Sequence, residues 1–134
     1  MRDPRGAAVT VVVPTLWGLM HWALHHPRPL DGFVTVTSNG FPSGHTSNAA
    51  AVALVAVLLL WPRLGRRGRA AVVALAAGFA LFVGLTRLVL LAHWPADVLG
   101  GWLLALAVVP LLARAADRPR RYAGSERSAS VRAG

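Results

Sequence analysis

The sequence predicts an all-α fold, a polytopic bundle of about four membrane-spanning helices. Two observations predict it. Hydrophobic residues make up 55% of the 134-residue chain and charged residues only 14%, against about 25% charged in an ordinary soluble domain. The apolar residues also gather into four runs near the length of a bilayer crossing, about 20 residues with a range of roughly 17 to 25. No run alternates with the period of a half-buried strand. A soluble helical bundle needs polar helix faces, and these runs have none.

The first run covers Ala7 to Leu24 and contains Pro14. Arg2 and Arg5 give it the basic start of a signal peptide. No small-residue cleavage site follows, so it reads as a retained span. The second run covers His45 to Trp61, the third Ala70 to about Ala92, and the fourth Asp97 to Ala113, with Pro110 near its end. Prolines are tolerated in spans whose neighbours satisfy the freed backbone. Gly78, Gly84, Gly100 and Gly101 are expected to let helices approach closely. Residues 1–116 read as a membrane-embedded core. Residues 117–134 read as a disordered basic tail on the cytoplasmic surface, drawn to anionic lipid.

Charge orients the spans. The net charge is +9, and all fourteen basic residues are arginine. They cluster before the first run (Arg2, Arg5), between the second and third (Arg63, Arg66, Arg67, Arg69) and after the fourth (Arg114, Arg118, Arg120, Arg121). Positive charge gathers on the cytoplasmic side. Both termini and the middle loop are therefore expected inside, with the His25–Gly44 loop and the turn at His93 together outside. No basic helix is interleaved with aromatics, so nucleic acid is not an expected partner. Cysteine is absent, which removes disulfides and thiolate metal sites.

Three polar segments then fall on one face of the membrane, where ionisable residues are expensive and point to function. Pro42-Ser43-Gly44-His45 leads straight into the second run. Ser43 is a natural N-cap, and a helix start binds anions through its free N–H groups. Gly44 is expected to let a ligand approach the backbone, and His45 to pass a proton to a leaving oxygen. A plain helix cap beside an interfacial histidine fits the same residues. Arg87 ends the third run. Its fork of donors suits phosphate oxygens, and snorkelling to the interface is the alternative. His93 and Asp97 lie four apart, so on a helical turn they share a face. A carboxylate on one imidazole nitrogen leaves the other free to attack. Pro95 suits the first turn of a helix beginning there. The third segment is His25-His26-Pro27-Arg28-Pro29, preceded by His21. Arg28 is a second outer-face guanidinium. His21 and His25 are spaced for two metal ligands, but nothing completes a site, so no metal is expected. His25 and His26 read as interfacial residues.

Taken together, these motifs resemble the type 2 phosphatidic acid phosphatase family, whose fold is shared with vanadium haloperoxidases. The family's first motif is a lysine, six residues, then Arg-Pro. Arg28-Pro29 matches, and His21 stands in the lysine position. The second motif, Pro42 to His45, matches in full. The third begins Thr86-Arg87 in place of Ser-Arg, with His93 and Asp97 in register. The resemblance implies a metal-independent phosphatase with no cofactor. His93 would be the nucleophile, forming a phosphohistidine, with Asp97 orienting it and His45 protonating the leaving group. Arg28, Arg87, Ser43, the Gly44 backbone and His21 would hold the phosphate. The implied substrate is a lipid phosphate or isoprenoid diphosphate, its tail in the membrane. Histidine in place of lysine is mostly neutral near pH 7 and weakens that cradle or shifts it to lower pH. Membrane members usually carry two further spans before the first motif. A fragment, a misassigned start and a natural minimal form all fit, and an inactive membrane scaffold is the alternative function. A vanadate-dependent peroxidase is disfavoured, because those enzymes are typically soluble.

Overall fold

The computed structural model describes the backbone of residues 4–30, 32–33 and 38–132, and the side chains of 6–30, 32–33 and 38–116. Arg2 lies outside the described residues, as do the side chains of Arg5, Arg118, Arg120 and Arg121. Helix α1 runs Pro4–Ala23, α2 Gly44–Leu60, α3 Arg66–Val89 and α4 Pro95–Arg132, with a 3-10 turn at Trp61–Arg63. Each helix falls on one apolar run, and no strand occurs among the described residues. Four stretches are long and apolar enough to cross a membrane: Gly6–Ala23, Gly44–Arg63, Arg66–Val89 and Pro95–Ala116.

Helix α2 is the hub, packed against α1, α3 and α4. Its buried face carries Thr46, Ser47 and the alanines Ala49, Ala50, Ala51 and Ala53. Small side chains let the neighbours close in, and Val9, Val13, Ala105 and Val109 from α1 and α4 complete the core around Ala50 and Ala51. Close approach explains three of the four expected glycines. A Cβ on Gly84 would strike Trp102, one on Gly100 Phe41, and one on Gly101 the backbone at Ser43 and Ser47. Gly78 is the exception, with nothing within 4 Å. Helix α3 buries the smallest share of its span, with α1 next at 11%. Only 6% of its span is buried in protein, against 33% for α2 and α4. Its exposed Leu75, Phe82 and Val89 form an apolar surface suited to lipid.

Two helix ends differ from expectation. The third helix stops at Val89 rather than near Ala92. Leu91 takes the left-handed conformation, φ 48°. The Leu91 N–H donates to Leu88 O at 2.9 Å and the Ala92 N–H to Arg87 O at 3.1 Å, the two bonds of a Schellman motif. The chain therefore reverses before His93. Past residue 117 a disordered tail was expected, whereas α4 continues unbroken to Arg132. Composition changes there, but alanine and arginine are strong helix formers and sustain the backbone.

Candidate active site

Asp97 is the fixed point of the site. Pro95 opens α4 as expected. The Asp97 Oδ2 accepts from the Trp94 N–H at 2.8 Å, and the Asp97 N–H donates to Trp94 O at 3.0 Å. The first bond is one half of a capping box, the second the opening backbone bond of the helix, and the helix start favours the carboxylate's charge. Asp97 is fully buried. Gly40 lies against it, and a Cβ there would come 2.9 Å from Oδ2. The turn Ser38-Asn39-Gly40 therefore needs its glycine.

His93 precedes α4 instead of sharing a helical face with Asp97. Its Nδ1 lies 3.4 Å from Asp97 Oδ2. Its Nε2 lies 3.1 Å from Arg28 Nη1. A guanidinium nitrogen only donates, so Nε2 accepts and the ring proton sits on Nδ1, toward the carboxylate. The 3.4 Å contact is long for a hydrogen bond, and such contacts tighten when substrate binds. Burial pushes the His93 pKa down, the Arg28 charge adds to the shift, and Asp97 opposes it. The imidazole thus stays neutral to lower pH than usual.

Arg28 is held by three partners besides His93. Its Nε donates to Ser38 O at 2.8 Å, its Nη1 to Ala92 O at 2.7 Å, and its Nη2 to Ser38 Oγ at 3.4 Å. Burial lowers its pKa and Asp97 acts against that; the group remains charged. Further bonds tie the α1–α2 connection to the α3–α4 turn. Trp94 Nε1 donates to Pro27 O at 2.9 Å, and the Ser43 N–H to Asp97 O at 2.9 Å.

Arg28, His93, His45, Gly44, Trp17 and Asn48 line a cavity of about 440 Å³. His45 is exposed on its rim, one residue into α2. Ser43 does not line it. The Ser43 Oγ is buried as the α2 cap, accepting from the Thr46 N–H at 3.5 Å and the Thr46 hydroxyl at 3.0 Å. Gly44 does line the cavity, but its missing Cβ makes room for Trp17, whose ring would lie 2.9 Å away. Trp17 Nε1 donates to Pro42 O at 2.9 Å. Arg87 is half-buried and turned aside. Its Nε and Nη2 both donate to Thr86 Oγ1 at 3.3 Å. His21 stacks on Trp17 with ring centroids 4.9 Å apart and lines an adjoining cavity of about 390 Å³ with His25 and Asn39. The structure thus gathers both imidazoles, one guanidinium and the carboxylate, and leaves the second guanidinium apart.

His26 went unrecognised in the sequence. It was read as interfacial, yet its Nδ1 lies 3.0 Å from Asp97 Oδ1. The pair is far apart in the chain, so no local spacing signals it. Trp17 and Asn48 were legible in principle. They stand about one helical turn from His21 and His45, on the same faces.

The family model for the PAP2 superfamily matches residues 5–121. Phosphatidylglycerophosphatase B of Escherichia coli K12 is 42% identical over 82 residues, covering 61% of this chain and 31% of that protein. The Shigella flexneri protein of the same name matches to the same extent. The chain therefore spans under a third of the length of these curated relatives. The crystal structure of a transmembrane PAP2 type phosphatidylglycerolphosphate phosphatase from Bacillus subtilis superposes with a TM-score of 0.76 at 30% identity, over 84% of this chain and 57% of that one. Four spans and membrane relatives together make this a multi-pass membrane protein.

Proposed function

The chain belongs to the PAP2 superfamily, and from that membership we propose that it is a membrane phosphatase acting on a lipid phosphate through a phosphohistidine. One observation carries the mechanism. His93 presents Nε2 to Arg28 and turns Nδ1 toward a buried carboxylate. A phosphate that takes over the Arg28 donors comes to rest beside the Nε2 lone pair. Nε2 attacks phosphorus, the P–O bond to the leaving alcohol breaks, and His45 gives that oxygen its proton. Water then attacks the phosphohistidine, His45 takes the water's proton, and inorganic phosphate leaves. Arg28 and the free N–H groups at the α2 start meet the charge spread over the equatorial oxygens. Ser43 holds that helix start in place. Arg87 joins the phosphate by swinging off Thr86, and His21 borders the headgroup from the adjoining cavity.

The relatives' names favour phosphatidylglycerol phosphate as substrate. The arginine clusters favour cytoplasmic termini and a site on the extracytoplasmic face. The loss of apolar residues after Ala116 favours a division into a core of residues 1–116 and a basic tail of residues 117–134. The test is phosphate release from short-chain phosphatidylglycerol phosphate by protein in detergent with a chelator present. Wild type releases phosphate and is inhibited by vanadate; His93→Ala loses at least about 10³-fold. If folded wild type and His93→Ala are equally inert, the scaffold reading replaces this one.

A further inference from the structure

We propose that His26 is a positioning residue for the reaction, acting through Asp97 to set the nucleophilicity of His93; this rests on the phosphatase reading. Four buried side-chain polar atoms among the described residues lack an aligned hydrogen-bond partner: His21 Nδ1, His26 Nδ1, His93 Nδ1 and Asp97 Oδ1. Buried polar atoms are ordinarily satisfied, so each such exception needs a reason. Three of the four belong to one cluster. His26 Nδ1 stands 3.0 Å from Asp97 Oδ1, and His93 Nδ1 stands 3.4 Å from Oδ2. One carboxylate thus serves two imidazoles, one on each oxygen.

The surroundings hold His26 in this place. Its carbonyl accepts from the Gly40 N–H at 2.7 Å, and its ring meets Phe41 edge-on at 6.4 Å. The other charged or titratable groups coupled to Asp97 are His93 on the α3–α4 turn and Arg28 on the α1–α2 connection. His45 on α2 lines the cavity beside them, and His21 on α1 lines the adjoining one.

The pairing has a chemical consequence. His26 Nδ1 faces Oδ1 at 3.0 Å; a small turn of the ring brings an Nδ1–H into line with that oxygen and fixes the carboxylate's rotation, which aims Oδ2 at His93. Without His26 the carboxylate is free to turn away from His93; His93 Nδ1–H is then less polarised, and Nε2 is a weaker nucleophile.

The experiment compares wild type, His26→Ala and His26→Asn on short-chain phosphatidylglycerol phosphate across pH, beside thermal unfolding in detergent. Asparagine places an amide N–H near the position of Nδ1 and does not titrate. Removing a group that orients a reacting side chain costs roughly 10–100-fold. His26→Ala is expected to lose about tenfold in kcat with KM within twofold. His26→Asn should recover most of that rate. Wild-type kcat in His26→Ala overturns the proposal, as does an asparagine variant no faster than the alanine one. Loss of folded protein in both variants makes His26 a structural residue and overturns it equally. If wild type itself is inert, the phosphatase reading fails separately. The pairing is then read from imidazole ¹⁵N shifts, where His26→Asn must move the His93 Nδ1 resonance.

Discussion

The two ends of the helix bundle both carry arginine, and they use it differently. At the end away from the site, Arg63 donates to Leu59 O one turn back at 2.6 Å. Arg69 lies 5.1 Å over the Trp61 ring and donates to Trp61 O at 3.1 Å. Their partners are local, exposed and replaceable by water. At the site end, Arg28 reaches across the chain to Ala92 and His93 and is partly desolvated. Local partners mark an arginine that serves topology; distant buried partners mark one built into chemistry. Arg87 tests the rule. It sits at the site end but bonds only to its neighbour Thr86.

Among the arginines, the largest effect should follow from Arg28→Ala. Loss of one fixed donor to developing charge costs about 10²–10³ in kcat, whereas Arg69→Ala should leave phosphate release within twofold. Arg28→Lys should recover little, because one ammonium cannot replace the fork. Equal losses at Arg28 and Arg69 would erase the distinction between the two ends. Arg87→Ala comes next, with a rise in KM of about tenfold, or 1.4 kcal/mol. A KM unchanged by that substitution would place Arg87 with the arginines of the opposite end.

The same contrast separates what the sequence disclosed from what it withheld. The four spans follow from apolar run lengths, and short motifs single out His93, Asp97, His45 and Arg28, which the fold brings to one end of the bundle. His26 beside Asp97 depends on how the α1–α2 connection folds back, and no spacing encodes that. A second use of Gly44 is hidden from the sequence for the same reason. The ring that fills its space belongs to Trp17, on another helix. Arg87 matched a motif, yet its rotamer is set by Thr86 next door.

A pH profile sharpens the electrostatic half of the comparison. In the proposed mechanism the nucleophile is neutral His93, whose pKa is lowered by burial and by Arg28. Activity should therefore hold as pH falls through the ordinary histidine range near 6.5 and drop only below it. Arg28→Gln removes one cause of the lowering, so its acid limb should move to higher pH. Arg69→Ala should not move it. An acid limb that shifts downward in Arg28→Gln would show that Arg28 does not act on His93 through its charge.

The smallest effect concerns backbone. At the far end, α2 leaves through the 3-10 turn and extended Leu64, φ −108°. At the site end, α3 closes on Leu91, the one non-glycine residue with positive φ among those described. A left-handed residue with a side chain costs roughly 1–2 kcal/mol, and that strain sits two residues before His93. Leu91→Gly relieves it but gains freedom in the unfolded chain, which returns about 0.4–1 kcal/mol. The net expectation is a stabilisation of less than about 1.5 kcal/mol by thermal unfolding in detergent, with kcat within twofold because both Schellman bonds survive. Leu91→Val should go the other way, since a branched side chain fits this conformation worse. Should valine unfold no earlier than leucine, the turn is not held under strain, and His93 owes its position to Arg28 and Asp97 alone.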